Sequence, residues 1–146
     1  MLVTKESSLF GVFMFKTLIV EDNPAFRQSL SAMLNSRFPD MMLVEVDSGD
    51  EALKQMEKLH PDLVFMDVKL PNANGLDLTK IIKAEHAGTT VVVMTSSDLP
   101  EYRQAAFLSG ASYFVSKGAT TEAQIFSVVE SVRHDSEYQS AMSLPG

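Results

Sequence analysis

Five side chains that could do chemistry stand at or just past the ends of short apolar runs. Glu21 and Asp22 close KTLIV, Asp67 closes LVFM, Thr95 closes TVVVM (with Ser96 and Ser97 behind it), and Lys117 closes the run that ends at Ser116. If these ends meet, three carboxylates, a hydroxyl and an ammonium share one pocket. Crowded carboxylates repel, and one takes up a proton unless positive charge intervenes. Lys117 supplies one such charge, and a divalent cation would supply more. Oxygen-only ligands with room for water suit Mg2+ or Mn2+ rather than zinc. A carboxylate beside such an ion can attack phosphorus to give an acyl phosphate. The metal, Lys117 and Thr95 would then meet the phosphoryl oxygens. An Asp67 that is ionised at neutral pH needs no general base.

The elements that would position these residues alternate regularly. Lys16–Glu21 is a β-branched apolar run and predicts a strand. Asn23 is placed to cap a helix with Pro24 in its first turn, and Phe26, Leu30, Met33 and Leu34 fall on one helical face. Met42–Val46 predicts a second strand. Ser48 and Glu51 form a capping-box pattern before a helix with Ala52, Leu53 and Met56 inward. Pro61 breaks that helix before the strand Leu63–Met66. Asn74-Gly75 marks a turn into a third helix, with Leu78, Ile81 and Ile82 inward. Thr90–Met94 is continuously apolar, as in a strand covered on both faces. A helix from about Pro100 to Ser109 ends at Gly110, a C′ glycine. Ser112–Val115 is the fifth strand. The last helix starts near Thr121, with Gln124 three residues on, and has a stripe of Ile125, Val128, Val129 and Val132. Five βα units with short connections predict an α/β fold, a doubly wound parallel sheet with helices on both faces. Ligands of such sheets bind at the carboxyl ends of the strands, where the five chemical residues lie.

The bulk properties set outer limits. The chain has 146 residues, enough for one domain with a full core. A net charge of -7 repels phosphate backbones and argues against direct nucleic-acid binding. With no cysteine, disulfides, thiolate metal sites and cysteine nucleophiles are excluded. The apolar run LFGVFMF, residues 9–15, is too short to span a membrane and lacks a cleavage site after it, so the expected location is cytoplasmic. His60, His86 and His134 are scattered without ligand spacing, and the nine methionines suit core filling. Residues 1–13 read as an N-terminal extension, 14–135 as the domain, and 136–146 as a frayed tail or the start of a linker.

This constellation strongly resembles the receiver domain of two-component response regulators. VEDNPAFR resembles the acidic-pair segment, DVKLPNANGL the phosphoacceptor loop, VVVMTSS the strand with the switch hydroxyl, and GASYFVSKG the segment with the switch aromatic and the lysine. The resemblance runs from about Phe15 to Val132, and it is closest to receivers of LuxR-type helix-turn-helix regulators. It implies a flavodoxin-like (βα)5 fold with strand order 2-1-3-4-5. It also implies that Asp67 is phosphorylated by a sensor histidine kinase or phosphotransfer protein. Glu21, Asp22, Asp67 and the backbone carbonyl of Lys69 would hold Mg2+ or Mn2+. Thr95 and Lys117 would contact the phosphoryl group. Thr95 and Phe114 would act as the switch, altering the surface of the fourth helix, fifth strand and fifth helix, through which a homodimer could form. The expected output is regulation of transcription through a separate effector domain, with a stand-alone receiver or phosphotransfer adaptor as the alternative. The chain departs from the family pattern at Gly118, where a proline with a cis bond is common. A non-proline cis bond costs roughly 3 kcal/mol, which puts that feature in doubt here and leaves open whether Lys117–Gly118 is cis.

Two rival readings belong to other classes. A Mg2+-dependent phosphohydrolase with an aspartyl nucleophile usually has a second aspartate two residues on, where this chain has Lys69, and needs a cap for which no residues are spare. A degenerate receiver serving only as a scaffold would not need the intact acid pair, aspartate, threonine and lysine. The expected character is a phosphoacceptor signalling domain that assists its own phosphorylation and dephosphorylation, not an enzyme acting on a separate substrate.

Overall fold

A computed structural model describes residues 14–97 and 99–142. The expected extension over residues 1–13 lies outside them. The elements follow in the order β1 (Lys16–Val20), α1 (Pro24–Arg37), β2 (Met42–Val46), α2 (Gly49–Leu59), β3 (Leu63–Asp67), β4 (Lys69–Leu70), β5 (Ala73–Asn74), α3 (Gly75–Glu85), β6 (Thr90–Thr95), α4 (Pro100–Leu108), β7 (Tyr113–Ser116) and α5 (Glu122–Met142). The five longer strands form one parallel sheet in the order β2-β1-β3-β6-β7. Counted among themselves, they stand in the expected order 2-1-3-4-5. The fold is the flavodoxin-like α/β fold.

Side chains alternate across a strand, so each central strand feeds two cores. Leu18, Val20, Val64, Met66, Val91 and Val93 point to one face and pack under Ala52 and Met56 of α2, Leu78 and Ile82 of α3, and Ala106 of α4. Ile19, Leu63, Phe65, Val92 and Met94 point to the other face, under Leu30 and Leu34 of α1 and Ile125, Val129 and Val132 of α5. β1 and β3 are buried along their whole length, which explains the apolar runs Leu18–Val20 and Leu63–Met66 within them.

The caps largely follow the sequence pattern. Asn23 Oδ1 accepts from Phe26 N–H at 3.0 Å. Gly110 is left-handed at φ 108, as a C′ glycine should be. Thr121 Oγ1 accepts from Gln124 N–H at 3.2 Å, while Gln124 Oε1 accepts from Thr121 N–H at 2.8 Å, a complete capping box. At α2 only half the box forms. Ser48 Oγ accepts from Glu51 N–H at 3.3 Å, but the Glu51 carboxylate pairs with Lys54 instead.

Three expectations need correction. Ile81 is 40% exposed rather than inward. Leu78 and Ile82, one turn apart, already fill the stripe facing the sheet. The stretch after Asp67 is a small antiparallel pair, β4 with β5, closed through Asn72 at φ 56, and not a simple turn. Residues 136–142 are helical rather than frayed, because α5 continues through Met142. No glycine or proline falls between residues 121 and 142 to stop it. Residues 143–146 of that expected tail lie outside the described residues.

Candidate functional site

Parallel strands end together, so their carboxyl ends bring the chemical residues to one edge. Asp67 and Thr95 are the last residues of β3 and β6, and Glu21 follows β1 directly. An open depression of about 310 Å³ is lined by Glu21, Asp22, Asn23, Asp67, Lys69, Thr95, Ser96 and Lys117. All five residues singled out by type and position, and Lys69 with them, therefore face one space.

The site is asymmetric in depth. Glu21 is fully buried, and Asp67 and Thr95 are each 5% exposed. Asp22 is exposed at the rim. Lys117 Nζ stands 2.6 Å from Glu21 Oε1 and 3.2 Å from Asp67 Oδ1, bridging the two buried carboxylates. The shorter contact is ionic without hydrogen-bond alignment, so Glu21 Oε1 has no hydrogen-bond partner among the described residues. Its other oxygen accepts from Asn23 N–H at 3.0 Å. One ammonium does not neutralise two buried carboxylates. Burial first, and the neighbouring Glu21 charge second, push the Asp67 carboxyl up to about 7, with Lys117 opposing them. Without a cation, Asp67 thus holds its proton well above the usual carboxylate range. This is the proton uptake expected of crowded carboxylates that lack enough positive charge.

This residual charge is the test of a metal. Glu21, Asp22 and Asp67 can each offer an oxygen, with all three within 4.8 Å of one another. An oxygen-only donor set and an aspartate that would otherwise gain a proton fit a hard divalent cation.

The threonine and aromatic sit beside this pocket. Thr95 Oγ1 accepts from Ser97 N–H at 3.1 Å, and the Thr95 carbonyl accepts from Lys117 N–H at 2.9 Å, tying the two loops together. Phe114 is half-buried against the core face shared with α4, and the Arg103 guanidinium lies 4.8 Å from its ring centre. Every peptide bond among the described residues is trans, Lys117–Gly118 included.

Several supporting residues were not singled out as such from sequence. Arg27 Nη1 donates to the Glu21 carbonyl at 2.8 Å while its Nε pairs with Glu45 at 3.3 Å. Phe26 was read only as an inward helical residue, yet Lys117 Nζ lies 4.8 Å from its ring centre. Gly75 was read as a turn marker, but its backbone lies against the phosphoacceptor strand. A Cβ there would fall 1.9 Å from the Asp67 carbonyl oxygen. Gly75 N–H also donates to Val68 O at 2.7 Å. The Asn-Gly pair was a signal for this close approach, though not for its target. Away from this edge, His60 and His86, read as scattered, have their ring centres 6.0 Å apart.

The family model for the response regulator receiver domain matches residues 17–130. The chain belongs to this family. The receiver is 33% identical over 106 residues to the response regulator GacA of Pseudomonas syringae pv. syringae, a match covering 73% of this chain and 50% of that protein. It is 42% identical over 85 residues to a protein-glutamate methylesterase/protein-glutamine glutaminase of Syntrophus aciditrophicus, covering 58% of this chain and 24% of that one. The receiver thus spans half or less of the length of these curated relatives. Among solved structures, the BeF3-activated N-terminal receiver domain of Klebsiella pneumoniae RstA aligns with a TM-score of 0.73 at 29% identity, over 79% of this chain and 95% of that one. A LuxR-family two-component response regulator from Aurantimonas aligns at 0.73 and 25% identity, over 82% and 84%. Receivers of this family are signalling domains of two-component systems, and transcriptional regulators stand among its relatives. No helix among the described residues is long and apolar enough to cross a membrane.

Proposed function

We propose that this receiver accepts a phosphoryl group on Asp67 from the phosphohistidine of a sensor histidine kinase or phosphotransfer protein. The observation that carries the reading is the convergence of Asp67 with Glu21, Asp22, Thr95 and Lys117 on one depression, where the buried acids carry more negative charge than Lys117 offsets. Glu21, Asp22, Asp67 and the Lys69 carbonyl would hold Mg2+ or Mn2+. Bound there, the ion would neutralise the acids and the phosphoryl oxygens, and would keep Asp67 ionised. An Asp67 Oδ then attacks phosphorus, the P–N bond to the donor imidazole breaks, and that imidazole leaves with the electron pair. Lys117 and Thr95 receive phosphoryl oxygens through charge-assisted and neutral hydrogen bonds. For Thr95 this means exchanging its bond from Ser97 N–H for one to the phosphoryl group. Its movement would free space toward which Phe114 can turn, remodelling α4, β7 and α5. Exposed Leu99, Phe107 and Leu108 on and before α4 support a homodimer or effector contact there. In a longer protein in the cytoplasm, that surface would control a transcription effector. A stand-alone receiver would pass the same change to a partner.

The test is incubation with acetyl phosphate or a phosphorylated kinase, with and without Mg2+, followed by mass spectrometry. The expected result is a Mg2+-dependent, acid-stable and base-labile adduct on Asp67, absent in Asp67→Asn. Incorporation into Asp67→Asn at the wild-type level would overturn the assignment.

A further inference from the structure

The opposite end of the sheet carries a second cluster, outside the depression around Asp67. His60 is the C-cap of α2 and His86 the C-cap of α3, so two helix C-termini meet there. Each C-terminus presents unpaired carbonyls and partial negative charge. Glu57, one turn before His60, and Glu85, next to His86, add two carboxylates. Ligand atoms of Glu57, Glu85 and His86 lie within 4.8 Å of one another. His86 Nε2 and Glu57 Oε2 are 3.0 Å apart. The neighbouring ammonium of Lys83 does not compete for these carboxylates, because it donates to the carbonyls of Ala87 and Thr89 at 2.9 and 2.5 Å.

From this geometry we propose that Glu57, His60, Glu85 and His86 form a site for a borderline divalent cation of the Zn2+ class, clipping the ends of α2 and α3 together. Mixed imidazole and carboxylate donors suit Zn2+, Co2+ or Ni2+, whereas the acidic depression suits Mg2+. The spacing is close to that of tetrahedral binding. Two imidazoles on a tetrahedral Zn2+ at about 2.0–2.1 Å hold their ring centres roughly 5 Å apart, and these two stand at 6.0 Å, so the His60 ring has a short distance to close. A ligand pair on one tetrahedral ion lies roughly 3.3 Å apart, close to the 3.0 Å between His86 and Glu57. On binding, the cation takes the place of the hydrogen between His86 Nε2 and Glu57, one proton is released to solvent, and a neutral ring bound through Nε2 carries its proton on Nδ1. Only exposed Glu85 and the His60 ring need to close in.

The experiment titrates Zn2+ into the full chain in excess Mg2+, which occupies the acidic depression. Binding is followed by calorimetry and by the ring-nitrogen resonances of the three histidines. One Zn2+ is expected to bind, shifting His60 and His86 but not His134, and to bind equally in Asp67→Asn. His86→Ala and Glu85→Gln should each weaken binding by about tenfold or more. Absence of Zn2+ binding, unmoved His60 and His86 resonances, or wild-type affinity in folded His86→Ala would overturn the proposal. If His86→Ala fails to fold, Glu85→Gln decides, since its side chain supports no core contact.

Discussion

Replacing Asp67 by Asn should stabilise the metal-free receiver above neutral pH, by an amount that depends on pH in a defined way. Asp67 rises from 3.8 to about 7 in the folded chain, so the folded state holds this proton more tightly than the unfolded state. The associated stability is fully present below 3.8 and is lost as pH rises toward about 7. Full linkage would make that loss about 4 kcal/mol. Lys117 contacts both Asp67 and Glu21 and can redistribute between them, so a loss of roughly 2 kcal/mol is the more realistic expectation. The amide cannot ionise and does not repel Glu21. Asp67→Asn should therefore exceed wild type by about 2 kcal/mol near pH 8, with the gap closing by about pH 4. Urea unfolding in EDTA at a series of pH values measures it, because the difference between the two proteins cancels the titrating groups that do not contact Asp67. Adding Mg2+ at high pH should close the gap from the wild-type side, since the ion stabilises only the intact acid set. A wild-type minus Asn difference that stays constant across the window would refute the raised carboxyl and the charge argument built on it.

Further outcomes follow from the same geometry. Mg2+ affinity should rise with pH up to about 7 and then level off, because the ion competes with the Asp67 proton; fluorescence or calorimetric titration reads this. Lys117→Met should raise the Asp67 carboxyl further, since Lys117 is what lowers it, and should abolish stable phosphorylation by acetyl phosphate. Gly75→Ala should cost about 3 kcal/mol or more in chemical unfolding, because its Cβ has nowhere to go but into the Asp67 carbonyl. Thr121→Ala, which removes half of the α5 capping box, should cost about 1 kcal/mol and leave phosphorylation unchanged.

The residues of the depression were legible in the sequence because topology alone carries them there. Once Lys16–Val20, Leu63–Asp67 and Thr90–Thr95 are parallel neighbours, Glu21, Asp67 and Thr95 must share an edge whatever their side chains do. What stayed hidden depends on contacts between distant residues. Nothing local distinguishes Phe26, beside Lys117, from Leu30, in the core, since both fall on the same helical face. Ile81 carries a core-forming side chain, but Leu78 and Ile82 take the stripe that faces the sheet and leave it at the surface. The link from Arg27 to Glu21 and Glu45 spans two strands and a helix. His60 and His86 are 26 positions apart, and only the meeting of two helix ends makes them neighbours.

The sharing of Lys117 between Glu21 and Asp67 has a consequence for the order of events. With all groups ionised, three acids against one ammonium leave the empty depression anionic. A phosphoryl donor, itself anionic, would meet repulsion until a cation has entered. The depression would therefore behave as a coincidence detector in time, admitting the donor productively only after the cation. Rapid-mixing experiments would see this as a lag when cation and donor are added together, removed by preincubation with the cation.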